Sequence, residues 1–107
     1  MNWKPVKNYE EAYEVSENGN VRSVDRMVMN KTKNGKDRPC LYKGRELRPH
    51  KRPDGRFEVV LSKSGIVKTW GVHVLVAKAF IGDKPQNHEV NHIDGDHTNN
   101  HYKNLYL

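Results

Sequence analysis

The 107-residue sequence predicts one small α+β domain built from antiparallel hairpins and a single helix. Short strand-like runs are separated by Asn-Gly, Asp-Gly and Ser-Gly pairs, which supply the positive φ angles of tight turns. Only residues 72–81 repeat apolar side chains at helical spacing. A chain of this length has room for one small core. We therefore expect the hairpins to share a core with this helix.

The first predicted hairpin joins residues 13–16 to residues 21–24. Residues 17–20 lie between them and contain the Asn-Gly pair that favours a hairpin turn. The following segment, residues 28–41, is polar and contains Asn-Gly and Pro39 as breakers. We interpret it as a mobile basic connection that becomes ordered on a partner.

A second hairpin is predicted from residues 45–50, the turn 53–55 and residues 57–62, with a third strand at 66–70. Alternation puts one set of side chains on each face of the middle strand. The two sets are Phe57, Val59 and Leu61 on one face and Glu58, Val60 and Ser62 on the other.

The helix has an apolar stripe typical of a core element. Its members follow the i, i+3, i+4, i+7, i+8 spacing and are Val72, Leu75, Val76, Ala79 and Phe80. Gly82 and Pro85 end the helix. An extended stretch at 88–93, a polar loop at 94–100 and a last strand at 104–107 follow.

Positive charge is concentrated in the middle third of the chain. The net charge is +6, with 19 Lys and Arg against 13 Asp and Glu. Residues 31–68 carry 12 basic and 4 acidic side chains, a net +8, whereas residues 1–30 and 69–107 each carry −1. A basic region between two nearly neutral ones is typical of a polyanion-binding protein. Nucleic acid is favoured over acidic protein surfaces as the partner.

Seven cations of the predicted sheet are candidate phosphate contacts, although a solvated basic face is the alternative. They are Arg45, Arg48, Lys51, Arg52, Arg56, Lys63 and Lys68. A two-stranded ribbon fits the major groove of DNA, and arginine can bind guanine with two hydrogen bonds. Some of these arginines could therefore read sequence.

Several classes of protein are disfavoured by composition. No window is long and apolar enough to span a membrane, and the amino terminus lacks a signal pattern. The single cysteine, Cys40, cannot form an internal disulfide. We expect a reducing compartment, the cytoplasm.

Candidate catalytic chemistry lies among the last twenty residues. An imidazole with an ordinary pKa of about 6.5 can take a proton from water, and hard divalent cations prefer oxygen ligands. His92 next to Asn91 and Asp94 offers both groups. A histidine that only caps a turn is the structural alternative, and the four-residue histidine spacing does not favour zinc outside a helix.

These residues resemble a known family. The run Val90-Asn91-His92-Ile93-Asp94-Gly95-Asp96, with the later Thr98-Asn99-Asn100 and Asn104-Leu105, resembles the catalytic hairpin of HNH homing endonucleases of phages and introns. Residues 73–80 resemble the helix before that hairpin. Residues 3–23 are similar to the short module that often precedes such nucleases.

The resemblance implies a ββα-metal hairpin, also called a His-Me finger, and DNA endonuclease or nickase activity on duplex DNA. His92 matches the general base. Asn104 matches the asparagine that orients this imidazole and pins the loop. Asn91 matches a ligand of one Mg2+ or Mn2+ ion, although its neutral oxygen implies weaker binding than a carboxylate.

The family fold continues into a helix with a last metal ligand, whereas this chain ends at Leu107, so the predicted hairpin is incomplete. We expect an N-terminal module at 1–27, a basic DNA-binding region at 28–71 and a partial nuclease motif at 72–107. The alternatives are a non-catalytic DNA-binding protein and, less favoured, an RNA-binding protein. Target site, strand cut and oligomeric state stay open.

Overall fold

The structure is a computed structural model that describes residues 2–31, 33 and 35–107. Short strands surround one helix, α1 (Val72–Phe80). The strands of the described residues are β1 (Trp3–Pro5), β2 (Tyr13–Ser16), β3 (Val21–Ser23), β4 (Arg26–Lys31), β5 (Asp37–Tyr42), β6 (His50–Lys51), β7 (Phe57–Lys63), β8 (Ile66–Gly71), β9 (Asn91–His92) and β10 (Leu105–Tyr106). A 3₁₀ turn, Tyr102–Asn104, leads into β10.

The strands form small antiparallel sheets, which confirms the predicted α+β class. Two sheets have three strands, in the orders β1-β2-β3 and β6-β7-β8, and β4-β5 and β9-β10 are two-stranded. β8 runs directly into α1, so the central sheet and the helix are joined without a loop. No helix of the described residues is long and apolar enough to cross a membrane.

The core lies where α1 packs against both three-stranded sheets. Val72, Leu75 and Val76 are buried on the helix, as the predicted stripe requires. They pack in one cluster with apolar side chains from β2, β3 and β7. Because each fully buried aliphatic side chain contributes about 1.5–3 kcal/mol, this cluster is the main stabilising feature of a small fold.

The alternation predicted for the middle strand is confirmed. Val59 and Leu61 are buried against α1, whereas Val60 on the opposite face of β7 is 55% exposed. The first predicted hairpin is also confirmed as β2 and β3. Its turn contains Gly19 at φ +89°, the positive angle that the Asn-Gly pair predicted.

The prediction of a mobile connection at 28–41 is wrong for the residues that the structure describes. β4 and β5 pair along their whole length, with Met27 opposite Leu41 and Met29 opposite Pro39. Gly35, at φ +74°, lies in the turn between them. The sequence pattern did not predict these strands because an isolated ribbon needs no buried face. Its residues therefore do not alternate between apolar and polar side chains as those of a half-buried strand do. Residues 32 and 34 of this segment lie outside the described residues.

Most of the strand predicted at 45–50 does not pair with β7. Only His50–Lys51 pair with β7. The preceding residues extend along β3, since the amide of Ser23 donates to the carbonyl of Arg45 and the amide of Leu47 donates to the carbonyl of Val21, both at 2.8 Å. This pairing provides partners for backbone groups at the edge of β3. The turn residues that predict hairpins carry no information about such pairing.

The carboxyl-terminal strands are shorter than predicted. The stretch 88–93 contributes only β9, and 104–107 contributes only β10. His92 pairs with Leu105 and Asn91 with Tyr106 in this two-stranded sheet. The polar loop between the two strands therefore begins directly after His92.

Candidate active site

The ring of His92 is held by a side chain from the polar loop. Its Nε2 lies 2.8 Å from Oδ1 of Asn100. An amide oxygen can only accept a hydrogen bond, so Nε2 carries the proton in this contact. The neutral ring then has its unprotonated nitrogen at Nδ1. This is the tautomer in which His92 can accept a proton from water.

Asn100 is in turn positioned by the first hairpin. It is 5% exposed, although it lies in a polar loop. A methyl group at Gly19 would come within 2.8 Å of the Asn100 Cβ, so only glycine fits there. The amide of Tyr102 donates to the carbonyl of Glu17 at 3.0 Å and ties the same turn to the segment before β10. The amino-terminal turn therefore supports the ring of His92 through Asn100.

Asn104 fastens the loop. Its Nδ2 donates to Oδ1 of Asp94 and to the carbonyl of Asn99, both at 2.9 Å. Its Oδ1 accepts from the amide of Asp94 at 3.2 Å. The expected pinning of the loop is thus made by Asn104, whereas the hydrogen bond that orients the imidazole comes from Asn100.

Asp94 is the centre of this network. Asn99 Nδ2 also donates to its Oδ2 at 3.0 Å, and the amide of Asp96 donates to its Oδ1 at 2.8 Å. The hydrogen bonds, with that from Asn104 the largest contribution, lower the pKa of the Asp94 carboxyl below its usual range. Its oxygens serve the loop as ionised acceptors.

Asn91 offers one oxygen to a cation. Its Nδ2 donates to the carbonyl of Glu89 at 3.0 Å. The side-chain oxygen is the atom of Asn91 that can bind a cation. The described residues contain no group of three or more His, Cys, Asp or Glu side chains suited to a metal ion. Mg2+ sites in proteins combine one or two oxygen side chains with water and substrate phosphates. Asn91 fits one position of such a site, and the described chain supplies only part of it.

Two further histidines flank His92. The ring centroids of His73 and His97 each lie 5.4 Å from that of His92. Burial lowers the pKa of His73 to about 4, and repulsion from His92 and His97 in their protonated forms and from Arg56 and Arg52 adds to this effect. His73 is therefore neutral at neutral pH. Gly71 makes room for it, because a methyl group there would lie 2.7 Å from its Cε1.

His97 connects the polar loop to the basic turn between β6 and β7. Its Nδ1 lies 3.0 Å from the carbonyl oxygen of Asp54, and a carbonyl only accepts, so Nδ1 donates. The turn itself is ordered by the amide of Arg56, which donates to Oδ1 of Asp54 at 3.0 Å. Arg52 and Arg56 are thereby brought to the same site as His92.

Arg56 has a buried nitrogen with no protein partner. Its Nε is inaccessible to solvent and has no hydrogen-bond partner in the part of the chain that the structure describes. Arg52, by contrast, lies 3.8 Å from Oδ2 of Asp54 and 4.0 Å from Oε2 of Glu58. Arg56 therefore carries a buried donor without a described protein partner, in the turn that His97 joins to the polar loop.

The other predicted DNA contacts are spread along the sheet. Lys63 is at the far end of β7, about 20 Å from Phe57 at a rise of about 3.3 Å per residue. It donates to the carbonyl of Asn8 at 2.7 Å, and Lys68 lies 4.2 Å from the ring of Trp70. Arg45 lies beside β3, and Arg48 and Lys51 are exposed on either side of the start of β6. The seven cations therefore form separate groups, of which only Arg52 and Arg56 adjoin the polar loop.

Sequence reasoning did not single out Asn100 or His97 as partners of His92. Asn100 is part of the run that resembles the catalytic hairpin, but its close approach to Gly19 is not visible in that run. His73 is visible in the sequence as a polar residue at the start of an apolar helix. That position indicates packing and gives no sign of its contact with His92. Contacts across tens of residues leave no pattern in the local sequence.

Comparison with known proteins identifies the family of this chain. The model of the NUMOD4 motif matches residues 1–62, and that of the HNH endonuclease family matches residues 71–107. The chain belongs to the HNH homing endonuclease family, with a NUMOD4 motif in its amino-terminal part.

Among individual proteins, the chain is similar to the DNA endonuclease I-HmuI of Bacillus phage SP01, at 33% identity over 105 residues. It is also 32% identical over 103 residues to an uncharacterized HNH endonuclease of Acanthamoeba polyphaga mimivirus. A solved structure that concerns DNA binding and cleavage by I-HmuI superposes with a TM-score of 0.74 at 35% identity.

The shared length differs between the chains. The I-HmuI alignment covers 98% of this chain and 51% of the relative, for the sequence and for the solved structure alike. The alignment with the mimivirus protein covers 96% of this chain and 26% of the relative. This chain therefore spans about half or less of the length of these relatives.

Proposed function

We propose that this chain binds duplex DNA and hydrolyses a phosphodiester bond, as an endonuclease or nickase with His92 as the general base. The observation that carries the proposal is the hydrogen bond from His92 Nε2 to Asn100, which leaves Nδ1 to accept a proton. Family membership and the likeness to I-HmuI support DNA as the substrate. The basic middle third supports it independently.

In this mechanism Nδ1 of His92 takes a proton from the water that attacks the phosphorus. The bond between phosphorus and the 3′ oxygen breaks, and the 3′ oxygen takes up a proton from solvent. Arg56, which is half-buried, donates to the phosphate from its terminal guanidinium nitrogens and stabilises the negative charge that grows in the transition state. The Asn104 and Asp94 network keeps the loop in place while the substrate changes.

Divalent metal use is general among HNH endonucleases, and here we propose Mg2+ or Mn2+ with Asn91 as one oxygen ligand. Such an ion supplies positive charge next to the scissile phosphate when it is bound. Because Asn91 offers a neutral oxygen, we expect this chain to hold the ion weakly without DNA.

His92→Ala tests the assignment. Supercoiled plasmid is incubated with Mg2+ or Mn2+, and conversion to open circle is followed on gels. We expect nicking by the wild type and none by His92→Ala, with DNA affinity nearly unchanged because His92 is not among the proposed phosphate contacts. Equal nicking by both proteins would refute the catalytic role of His92.

A non-catalytic DNA-binding protein is the second candidate. It is favoured by the partial metal site, since the predicted ligand Asn91 supplies one neutral oxygen and the described residues contain no acidic or histidine cluster suited to a metal. It predicts salt-dependent retention of duplex DNA and no cleavage at any concentration of protein or metal. Wild-type nicking that disappears in His92→Ala would exclude it.

A further inference from the structure

Two lysines lie against the same tryptophan ring on the α1 side of the central sheet. The Nζ atom of Lys68 is 4.2 Å from the ring centroid of Trp70, and that of Lys78 is 4.9 Å from it. Lys68 belongs to β8 and Lys78 to α1, so two elements contribute. We call these two residues the lysine pair. Because both are attracted to one ring, their ammonium groups are at most about 9 Å apart.

The ring of Trp70 is itself fixed by other contacts. Its Nε1 donates to Oη of Tyr9 at 3.2 Å, and the two rings meet edge to face with centroids 6.2 Å apart. Trp70 also packs against the core, opposite Val59 of β7. A fixed indole limits the positions that the lysine pair can take, since an ammonium group is attracted to its face. The lysine pair is therefore ordered in advance, which lowers the entropy cost of binding a ligand.

The positive charge of the lysine pair is not neutralised by a direct ion pair. Neither ammonium group lies within 4.0 Å of a carboxylate oxygen of the described residues. Asp83, the acidic residue that follows α1, is paired with Lys7 instead. Two like charges held near one ring repel each other, and an anion between them removes that repulsion. The arrangement therefore fits an anion with several oxygens, such as a phosphate.

The lysine pair lies close to the candidate active site. Val59, which is opposite Trp70, is three residues after Arg56, a distance of about 10 Å at a rise of about 3.3 Å per residue. Successive phosphates of a DNA strand are about 3.4 Å apart along the helix axis. A separation of this size corresponds to a few nucleotides. The same duplex can therefore meet Arg56 and the lysine pair.

We propose that the lysine pair binds one phosphate of the duplex, a few nucleotides from the scissile bond, and so adds α1 to the DNA-binding surface. The proposal rests on the proposed function in that the ligand is duplex DNA. Lys78 lies outside the basic middle third of the sequence, so the distribution of charge along the chain does not indicate it. A contact of this kind positions the duplex along the sheet and is independent of base sequence.

Glutamine substitutions test the lysine pair, because glutamine keeps part of the aliphatic stem and removes the charge. Binding of a labelled mixed-sequence duplex is measured by fluorescence anisotropy at several salt concentrations, without divalent metal. We expect Lys68→Gln and Lys78→Gln each to weaken binding roughly five- to tenfold near 0.1 M salt and to lower the salt dependence by about one phosphate contact. The double variant is expected to lose little more than either single variant, because both lysines serve one phosphate.

Lys4→Gln is the matched control. Lys4 also lies over an aromatic ring, 5.0 Å from the centroid of Phe80, but no second lysine shares that ring among the described residues. We expect Lys4→Gln to leave the salt dependence of binding unchanged. Thermal unfolding of all variants is expected to match the wild type within a few degrees, since each keeps its ring and its buried neighbours.

Trp70 reports the contact directly. In a Trp3→Phe background it is the remaining tryptophan of the chain. Addition of duplex is expected to change its fluorescence, because a bound phosphate alters the charge next to the indole. This change is expected to disappear when Lys68 and Lys78 are both replaced by glutamine.

The outcomes separate the two proposals. A wild-type protein that binds no duplex would refute the proposed DNA binding. Duplex binding with an unchanged salt dependence in the glutamine variants would overturn the role of the lysine pair alone. Additive losses in the double variant would show two separate contacts, and an equal loss in Lys4→Gln would show a general effect of charge. Either result would also overturn the shared phosphate.

Discussion

Asn100 holds the ring of His92 although it lies eight residues away on the other side of the polar loop. It is buried by the first hairpin, so its amide cannot turn toward solvent. A fixed acceptor at Nε2 keeps the basic lone pair on Nδ1 and sets the direction in which it points. Asn100 is therefore a positioning residue for the proposed base.

Asn100→Ala is expected to lower the nicking rate about 10- to 100-fold, the effect usual for a group that orients a catalytic histidine. Asn100→Asp keeps an acceptor for Nε2 and is expected to retain more activity than the alanine variant. The measurement is plasmid nicking at saturating DNA, with binding checked by gel shift. Nicking by Asn100→Ala at the wild-type rate would contradict this role.

His73 gives the fold a dependence on pH. Its pKa is lowered to about 4 by burial in the folded protein, whereas an unfolded histidine titrates near 6.5. Between these values the unfolded state binds the extra proton, so the free energy of unfolding falls as the pH falls from about 6.5 to about 4. Above this window His73 is neutral in both states and has no such effect.

His73→Gln removes this titration while keeping a polar side chain at the start of α1. We expect its free energy of unfolding to fall less than that of the wild type between about pH 7 and pH 5. Urea unfolding at both pH values measures the difference. Parallel losses in the two proteins would show that His73 does not titrate in this way.

At the scale of elements, the site is a junction of two loops that are each ordered internally. The turn between β6 and β7 is closed by the amide of Arg52, which donates to the carbonyl of Arg56 at 2.8 Å. The polar loop is closed by Asp94 and Asn104. His97 joins them through Asp54, and it also contacts the ring of His92.

Loss of this junction is expected to separate the arginines from the base. His97→Leu removes the donor to Asp54, and we expect a nicking rate about tenfold or more below the wild type, because small displacements of catalytic groups are costly. His97→Asn places an amide N–H where Nδ1 was, so it is the matched control and should retain more activity. Equal rates for the leucine and asparagine variants would mean that the hydrogen bond has no role.

Elements differ in how far the sequence predicts them. α1 and the sheet face of Val59 and Leu61 were predicted because burial on one side produces a period in the sequence. β4 and β5 were missed because their apolar side chains Met27, Met29 and Leu41 are exposed, so no core requires an apolar face on this ribbon. Residues 45–47 were assigned to the wrong partner because two strand edges, on β3 and β7, compete for them.

In the whole molecule, the amino-terminal sheet and the central sheet share one core with α1. Gly19 in the first hairpin touches Asn100, so the part matched by the NUMOD4 motif contributes directly to the part matched by the HNH endonuclease family. The candidate site therefore depends on the folding of both parts. A piece that lacked the first hairpin would leave Asn100 exposed and the ring of His92 without its fixed acceptor.

The sequence alone determined the α+β class, the helix and the basic middle third, and it singled out the histidine of the candidate site, because turn pairs, apolar periods and family motifs are all local patterns. Only the tertiary structure decided that Asn100 rather than Asn104 binds the ring of His92, and that Arg56 lies close enough to His73, which contacts this ring, to lower its pKa. These contacts join residues from different elements. Their choice depends on how the sheets pack on α1, and packing is a property of the whole chain.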